Sequence, residues 1–317
     1  MGSALIFIRA KDTGQTGRVN RNGQYEMAKP VVLVLGATGR IGQLMQLTPP
    51  EGLQLRLQSR AAAPGGSASD RWQLLDPLRQ PEALARAATG AAAILCLAGP
   101  VPGRGSGNMQ DHVELGLAAV HAAASVGGGC RVLLASSAAV YGAQPGMLSE
   151  TSPMQPANAY GVAKMQMEQQ ASALARRLGV ALCCLRIGNI AGLDAILGGW
   201  RVGFTLDRFA NGNSPRRSYI GPRSLAQVLA QLLELDDLPP QLNLTQPCPI
   251  EMAALLRAAG RRFDWQPAPA AAIAEVALDV GLLQSLLPQP LPAADAAQMV
   301  AEWTKLEPHF TQESHPR

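Results

Sequence analysis

Tyr160 and Lys164 stand four residues apart in Tyr160-Gly161-Val162-Ala163-Lys164, inside a stretch whose composition predicts a helix over Ala159 to Leu178. Residues four apart on a helix share a face. An ammonium beside a phenol stabilises the phenolate and draws its pKa down from about 10 toward neutrality. A phenol tuned in this way can pass a proton to and from a hydroxyl or carbonyl oxygen. The plain alternative is an exposed helical pair with no role, and what surrounds the pair decides between the two.

A second chemical signal lies near the start of the ordered sequence. Val31-Val32-Leu33-Val34-Leu35 runs straight into Gly36-Ala37-Thr38-Gly39-Arg40-Ile41-Gly42. A continuous apolar run predicts a strand buried on both faces. A glycine-rich turn from such a strand into a helix lets backbone approach a pyrophosphate and aims helix N-terminal amides at it. The spacing is G-x-x-G-x-x-G, one residue wider at its start than the common dinucleotide fingerprint, and a tight turn without ligand is the alternative. Gly36, Thr38, Gly39, Arg40, Ile41 and Gly42 are the candidate cofactor contacts.

The following strand should end near an adenosine ribose, where an acidic residue would accept from both hydroxyls. Here it ends Gln58-Ser59-Arg60. Arg60 could hold a 2′-phosphate with help from Arg40, which favours NADP over NAD, or could simply be a solvated arginine. Asp76 could reach the adenine edge or cap the next helix.

These residues need a scaffold, and the pattern supplies one. Strands are expected over Val31–Leu35, Leu53–Gln58, Trp72–Asp76, Ala91–Leu97, Arg131–Ala135 and Ala181–Ile187. Helices are expected over Pro81–Ala88, Met109–Ser125 and Ala159–Leu178. Such alternation implies crossover connections and a parallel, doubly wound α/β sheet. Beyond Gly192 order loosens. Leu225–Leu235 and Ile250–Ala259 suggest helices, Leu242–Leu244 a short strand, and Ala268–Ala274 a loop. Residues 1–29 show no sustained periodicity and are expected to be a disordered extension, with Met27 an alternative start. The expected layout is residues 30–190 as a nucleotide-binding domain and 191–317 as a smaller substrate-binding region.

Taken in order, Gly-Ala-Thr-Gly-Arg-Ile-Gly at 36–42, Ser-Ser-Ala-Ala-Val-Tyr-Gly at 136–142 and Tyr-Gly-Val-Ala-Lys at 160–164 resemble one family. It is the extended short-chain dehydrogenases/reductases, the NAD-dependent epimerase/dehydratase family, over about Pro30 to Gly192. The resemblance implies a Rossmann-type sheet with a small C-terminal substrate-binding domain. It implies that Ser137, with Ser136 its nearest rival, hydrogen-bonds the reacting oxygen. It implies Tyr160 as acid/base, and Lys164 as the residue that tunes it and holds the nicotinamide ribose. Asn189, in Leu185-Arg186-Ile187-Gly188-Asn189, matches a substrate-contacting asparagine, or closes a turn. Arg217 matches the arginine of an R-x-F/Y-I stretch that holds a nucleotide phosphate, or serves the structure. The H-V-x-D that should follow is replaced by Gly221-Pro222-Arg223-Ser224. A homodimer through the helices flanking the site is also implied.

Three functions fit. One is an epimerase or dehydratase, with a nucleotide sugar as candidate substrate; another is a net NADPH-dependent carbonyl reductase on a small substrate. The third is a nicotinamide-binding sensor without catalysis, which the intact Tyr160–Lys164 pair disfavours. Composition trims the remainder. A formal charge of +4 without basic clusters and 4% aromatic residues give no footprint for nucleic acid. No apolar run reaches the roughly 18 residues of a membrane helix, so a cytoplasmic protein with no membrane partner is expected. The five cysteines lack C-x-x-C spacing and suit buried thiols, and the four histidines are too scattered for a metal site.

Overall fold

The computed structural model describes residues 7–9, 16–19, 25–61, 71–101 and 107–311. Strands β1 (Phe7–Arg9), β2 (Thr16–Val19) and β3 (Tyr25–Met27) pair antiparallel as a separate small sheet. These strands fall within the segment expected to be an extension; the rest of the first 24 residues lie outside the described residues. The chain continues through β4 (Val31–Leu35), α1 (Arg40–Leu47), β5 (Gln54–Ser59), β6 (Trp72–Leu74) and α2 (Pro81–Ala88). Next come β7 (Ala91–Cys96), α3 (Asp111–Val126), β8 (Arg131–Ser137), β9 (Met147–Leu148), α4 (Ala159–Leu178) and β10 (Leu182–Ile187). Then follow β11 (Asn189–Ile190), β12 (Thr205–Arg208), β13 (Arg216–Arg217), β14 (Tyr219–Ile220), α5 (Pro222–Glu234) and β15 (Gln241–Leu244). Last are β16 (Ile250–Glu251), α6 (Met252–Ala258), β17 (Asp264–Pro267), β18 (Glu275–Leu278), α7 (Gly281–Leu286) and α8 (Ala296–Thr311).

Seven strands form one sheet in the order β15-β10-β8-β7-β4-β5-β6, and all six pairings are parallel. Its two faces follow from strand periodicity. Val32 and Val34 of β4 join a core with Leu44 of α1, Leu229 of α5 and Trp303 of α8. Leu33 and Leu35 point the other way, into a core with Leu84 of α2, Val120 of α3 and Leu174 of α4. Burying each such side chain stabilises the fold by about 1.5–3 kcal/mol. Sheet and helices therefore form the doubly wound Rossmann-type fold.

The sheet does not stop at residue 190. Gln241–Leu244 pairs with Cys184–Ile187 as an edge strand, so the region beyond 190 returns to complete the sheet. A crossover through α5 makes this possible, because α5 packs on the same face as α1. The helix expected over Ile250–Ala259 begins only at Met252, after the short strand β16. Helix α8 packs on α5 and α6. Its Glu302 Oε2 accepts from the amides of Arg223 (3.0 Å) and Ser224 (3.2 Å), and Oε1 from the Ser224 hydroxyl (3.0 Å). The N-terminus of α5, which lacks an acidic residue of its own at Gly221–Ser224, is thus capped from a distant part of the chain.

Candidate active site

Tyr160 and Lys164 lie on the first turns of α4, whose start is set by Asn158: its side chain accepts from the Gly161 amide at 2.8 Å. A Cβ at Gly161 would stand 2.5 Å from the Ala139 carbonyl oxygen, so the glycine lets α4 close onto the turn after β8. That turn carries Ser137, which caps it by accepting from the Ala139 amide at 3.1 Å. The Ser137 hydroxyl also acts on the Tyr160 phenol, favouring its ionised form. The three expected residues therefore converge at the carboxyl end of β8, where ligands of an open parallel sheet bind.

Their electrostatics differ from the sequence expectation. Lys164 is 4% exposed and its Nζ donates to the Ala135 carbonyl at 2.6 Å, with the Tyr160 ring centroid 5.8 Å away. Burial pushes its pKa down to about 8, against the opposing influence of Cys96, Cys184 and Glu168. The Tyr160 phenol stands above its ordinary value, raised by burial and countered by the Ser137 hydrogen bond and the Arg40 charge. In this state Lys164 Nζ is held by the Ala135 carbonyl while it lies over the Tyr160 ring. Its ammonium is turned into the sheet.

Below the triad lies a buried polar chain. Ser136 Oγ donates to Glu168 Oε1 at 2.5 Å. Arg186 Nε and Nη2 grip the same carboxylate at 2.8–3.1 Å, and Nη1 donates to Tyr141 Oη and the Glu150 carbonyl, both at 2.9 Å. Tyr141 in turn donates to Asn243 Oδ1 at 2.7 Å. Burial works against the Arg186 charge, but Glu168 more than offsets it and the guanidinium stays protonated. Ser136 is thus engaged inside the core, which leaves Ser137 as the hydroxyl facing Tyr160. Tyr160, Lys164 and Glu168 follow at four-residue steps along one helix stripe, a signal that could have drawn Glu168 from the sequence.

The glycine turn fits a pyrophosphate. Gly36 has φ +76°, and a Cβ there would meet Ala98 backbone at 2.7 Å. A Cβ on Gly42 would sit 2.5 Å from the Ala37 carbonyl oxygen. Helix α1 starts at Arg40 and Gly39 provides no side-chain cap, which suits an anion at its N-terminus. Thr38 is exposed at the tip and Ile41 is half-buried. Gln58 accepts from the Gly36 amide at 2.9 Å and donates to the Leu75 carbonyl at 2.8 Å. The residue standing where a ribose-binding acid was sought therefore braces the turn.

Arg60 follows it, exposed. The Arg40 guanidinium donates to the Leu193 carbonyl at 2.5 Å and its charge acts on Tyr160. Asp76 Oδ1 accepts from the amides of Leu78 and Arg79 at 3.0 and 3.3 Å, closing its own turn while remaining partly exposed.

Asn189 is half-buried two residues beyond Ile187, which pairs in register with Ser137. Its backbone pairs with β14, and its side chain makes no hydrogen bond among the described residues. Arg217 is placed differently from a free phosphate anchor. Its guanidinium donates to the carbonyls of Arg216 (2.7 Å), Ile273 (3.0 Å) and Ala274 (3.4 Å), so strand packing has claimed it. A groove of about 1160 Å³ between the end of α1, α5 and α8 contains none of the candidate residues. Among the described residues, no helix is long and apolar enough to cross a membrane, and no cluster of His, Cys, Asp and Glu could hold a metal.

The NAD dependent epimerase/dehydratase family matches residues 32–196. No curated protein sequence matches significantly. A short-chain dehydrogenase/reductase superfamily protein from Agrobacterium tumefaciens, solved with bound NAD, superposes with TM-score 0.69 at 18% identity, covering 90% of this chain and all of that one. UDP-N-acetylglucosamine 4-epimerase from Bacillus cereus gives 0.68 at 16% identity over 87% of this chain and 99% of its own. The dTDP-glucose 4,6-dehydratase DesIV from Streptomyces venezuelae, with NAD and TYD bound, gives 0.67 at 18% identity over 88% and 98%. At these identities the likeness concerns the fold.

Proposed function

The chain belongs to the NAD-dependent epimerase/dehydratase family, and we propose that it catalyses nicotinamide-dependent proton and hydride exchange at a hydroxyl-bearing carbon, with Tyr160 as acid/base. The convergence of Ser137, Tyr160 and Lys164 at the carboxyl end of β8, with Lys164 Nζ 5.8 Å from the Tyr160 ring centroid, carries this reading. Gly36, Gly39 and Gly42 would hold the pyrophosphate together with the α1 amides. When bound, the dinucleotide supplies a hydride acceptor and donor. The Ser137 hydroxyl orients the reacting oxygen, and Tyr160 takes its proton or returns it. Burial that keeps the free phenol protonated equips it first as an acid. The negative charge formed on it during reaction would be met by Arg40 and Lys164.

The solved relatives named for UDP-N-acetylglucosamine and dTDP-glucose support a sugar nucleotide as the substrate class, with Asn189 as a substrate contact. A net reductase on a small substrate is favoured by a separate observation. Arg217 is held by three backbone carbonyls, which weakens the case for a phosphate anchor. Arg60, exposed at the end of β5, supports NADP as the preferred dinucleotide.

Tyr160→Phe tests the reading. The variant should bind NADH or NADPH as wild type does, while turnover on the substrate falls at least a hundredfold. Near-normal turnover would remove Tyr160 from the reaction. Titrating wild type with both dinucleotides also decides the cofactor preference.

A further inference from the structure

Ser137 and Tyr160 stand at the two ends of one largely irregular segment. It leaves β8 through a tight turn, passes through the two-residue strand β9 and returns to α4. Two close approaches draw its base shut. A Cβ at Gly142 would collide with the Gln155 carbonyl oxygen, and one at Gly161 would stand 2.5 Å from that of Ala139. Whatever holds residues 141–155 therefore sets how Ser137 meets Tyr160. Reactive groups carried on such a segment keep their geometry only if a surrounding shell supports it.

The support comes from β10 and β15. Arg186 and Asn243 stand opposite each other in the register of these strands, and both reach Tyr141. Its Oη accepts from Arg186 Nη1 at 2.9 Å and donates to Asn243 Oδ1 at 2.7 Å. Asn243 Nδ2 donates to the carbonyls of Leu148 and Asp279, both at 2.9 Å, and the Asn243 backbone amide donates to Glu150 Oε1 at 2.9 Å. One fully buried side chain thus grips the segment at Tyr141 and Leu148 and ties it to the end of β18. An amide suits this place, since it accepts on one side and donates twice on the other. A carboxylate could not donate to the two carbonyls. Gln144 braces the same segment, donating to the carbonyls of Tyr141 (2.6 Å) and Pro153 (2.8 Å).

Resting on the reading of Ser137 and Tyr160 as the reacting pair, we propose that Asn243 is a positioning residue: acting through Tyr141 and Leu148, it holds the segment between the two hydroxyls so that both face one substrate oxygen. It touches neither substrate nor cofactor. It comes from the returning edge strand of the sheet, beyond the residues 32–196 that the family matches.

Tyr141→Phe removes one oxygen, and Asn243→Leu removes the amide. The probe is the Tyr160 phenol, followed by NMR in protein labelled with ¹³C at tyrosine Cζ. With four tyrosines in the chain, its signal is assigned by its loss in Tyr160→Phe. Leu84→Ala supplies a control of lowered stability, because Leu84 lies in a core separate from that of Tyr141 and Leu148. In both variants the Tyr160 signal should move or split, and the double variant should change it no further than Asn243→Leu alone. ADP affinity by calorimetry, which reports on the glycine turn, should stay within about twofold of wild type. A Tyr160 signal unchanged in both variants, or changed equally by Leu84→Ala, would make Asn243 a purely structural residue and overturn the proposal. Should Asn243→Leu fail to fold, Tyr141→Phe carries the test alone. Wild type that binds neither NADH nor NADPH would refute the dinucleotide reading, while the Tyr160 signal still decides the positioning of the pair.

Discussion

Replacing Glu168 by leucine should unfold the protein at a markedly lower temperature. The carboxylate receives Arg186 through three contacts of 2.8–3.1 Å and Ser136 through one of 2.5 Å, and the charged pair's side chains are 4% and 2% exposed. Glu168→Leu strands a buried guanidinium with only Tyr141, the Glu150 carbonyl and Met154 as partners. Breaking one side of a buried pair costs about 3–5 kcal/mol. At about 2 °C per kcal/mol, the low end expected for a chain this size, Tm falls by ~6–10 °C. The assay is thermal unfolding by circular dichroism, with Glu168→Leu, Arg186→Met and the double variant measured side by side. The double variant removes both charges and should recover most of the loss, since apolar replacement of a whole buried pair is near neutral. A single variant within 2 °C of wild type, or a double variant that loses the sum of both singles, would refute the reasoning.

Two further outcomes follow from the same site. Lys164 titrates near 8 in the folded chain against an ordinary 10.5, so between these values the unfolded chain binds more protons and stability rises with pH. The penalty is full below about 8 and fades toward 10.5, so in urea unfolding of cofactor-free protein the stability of Lys164→Met relative to wild type should be greatest below pH 8. A difference that does not change with pH would contradict the buried ammonium. Gly42→Ala would place a methyl against the Ala37 backbone and should weaken NADH binding at least tenfold by calorimetry, a loss of about 1.4 kcal/mol; unchanged affinity would remove the turn from the cofactor site.

The elements best read from sequence carry local signals. Helix α2 starts on Pro81, suited to a first helical position, and α4 runs from an Asn158 cap to Gly179 in the left-handed region. Strands β4 and β7 of the central sheet announce themselves as unbroken apolar runs. Residues whose role depends on remote partners were hidden. Gln58 looked like a missing acid until its amide was found joining Gly36 to Leu75. Asn243 lies between Leu242 and Leu244 and reads as part of an ordinary short strand. The burial of Lys164 and its bond to the Ala135 carbonyl are reported by no spacing rule. Helix α8 gave weak periodicity, contains Pro308, and earns its place through contacts with α5 and α6.

The cap that Glu302 places on α5 also sets a clock. The amide of Arg223 and the carboxylate that accepts from it are separated by 79 residues of chain. At roughly 5–20 residues per second, a ribosome delivers the second about 4–16 s after the first. Throughout that interval α5 must shelter its apolar face against α1 with its leading amides open to water. The strand it introduces, β15, is made long before α8 arrives to close the layer. The α5 cap therefore forms only once the chain has reached Glu302, by which point the residues of all seven strands of the central sheet have been made.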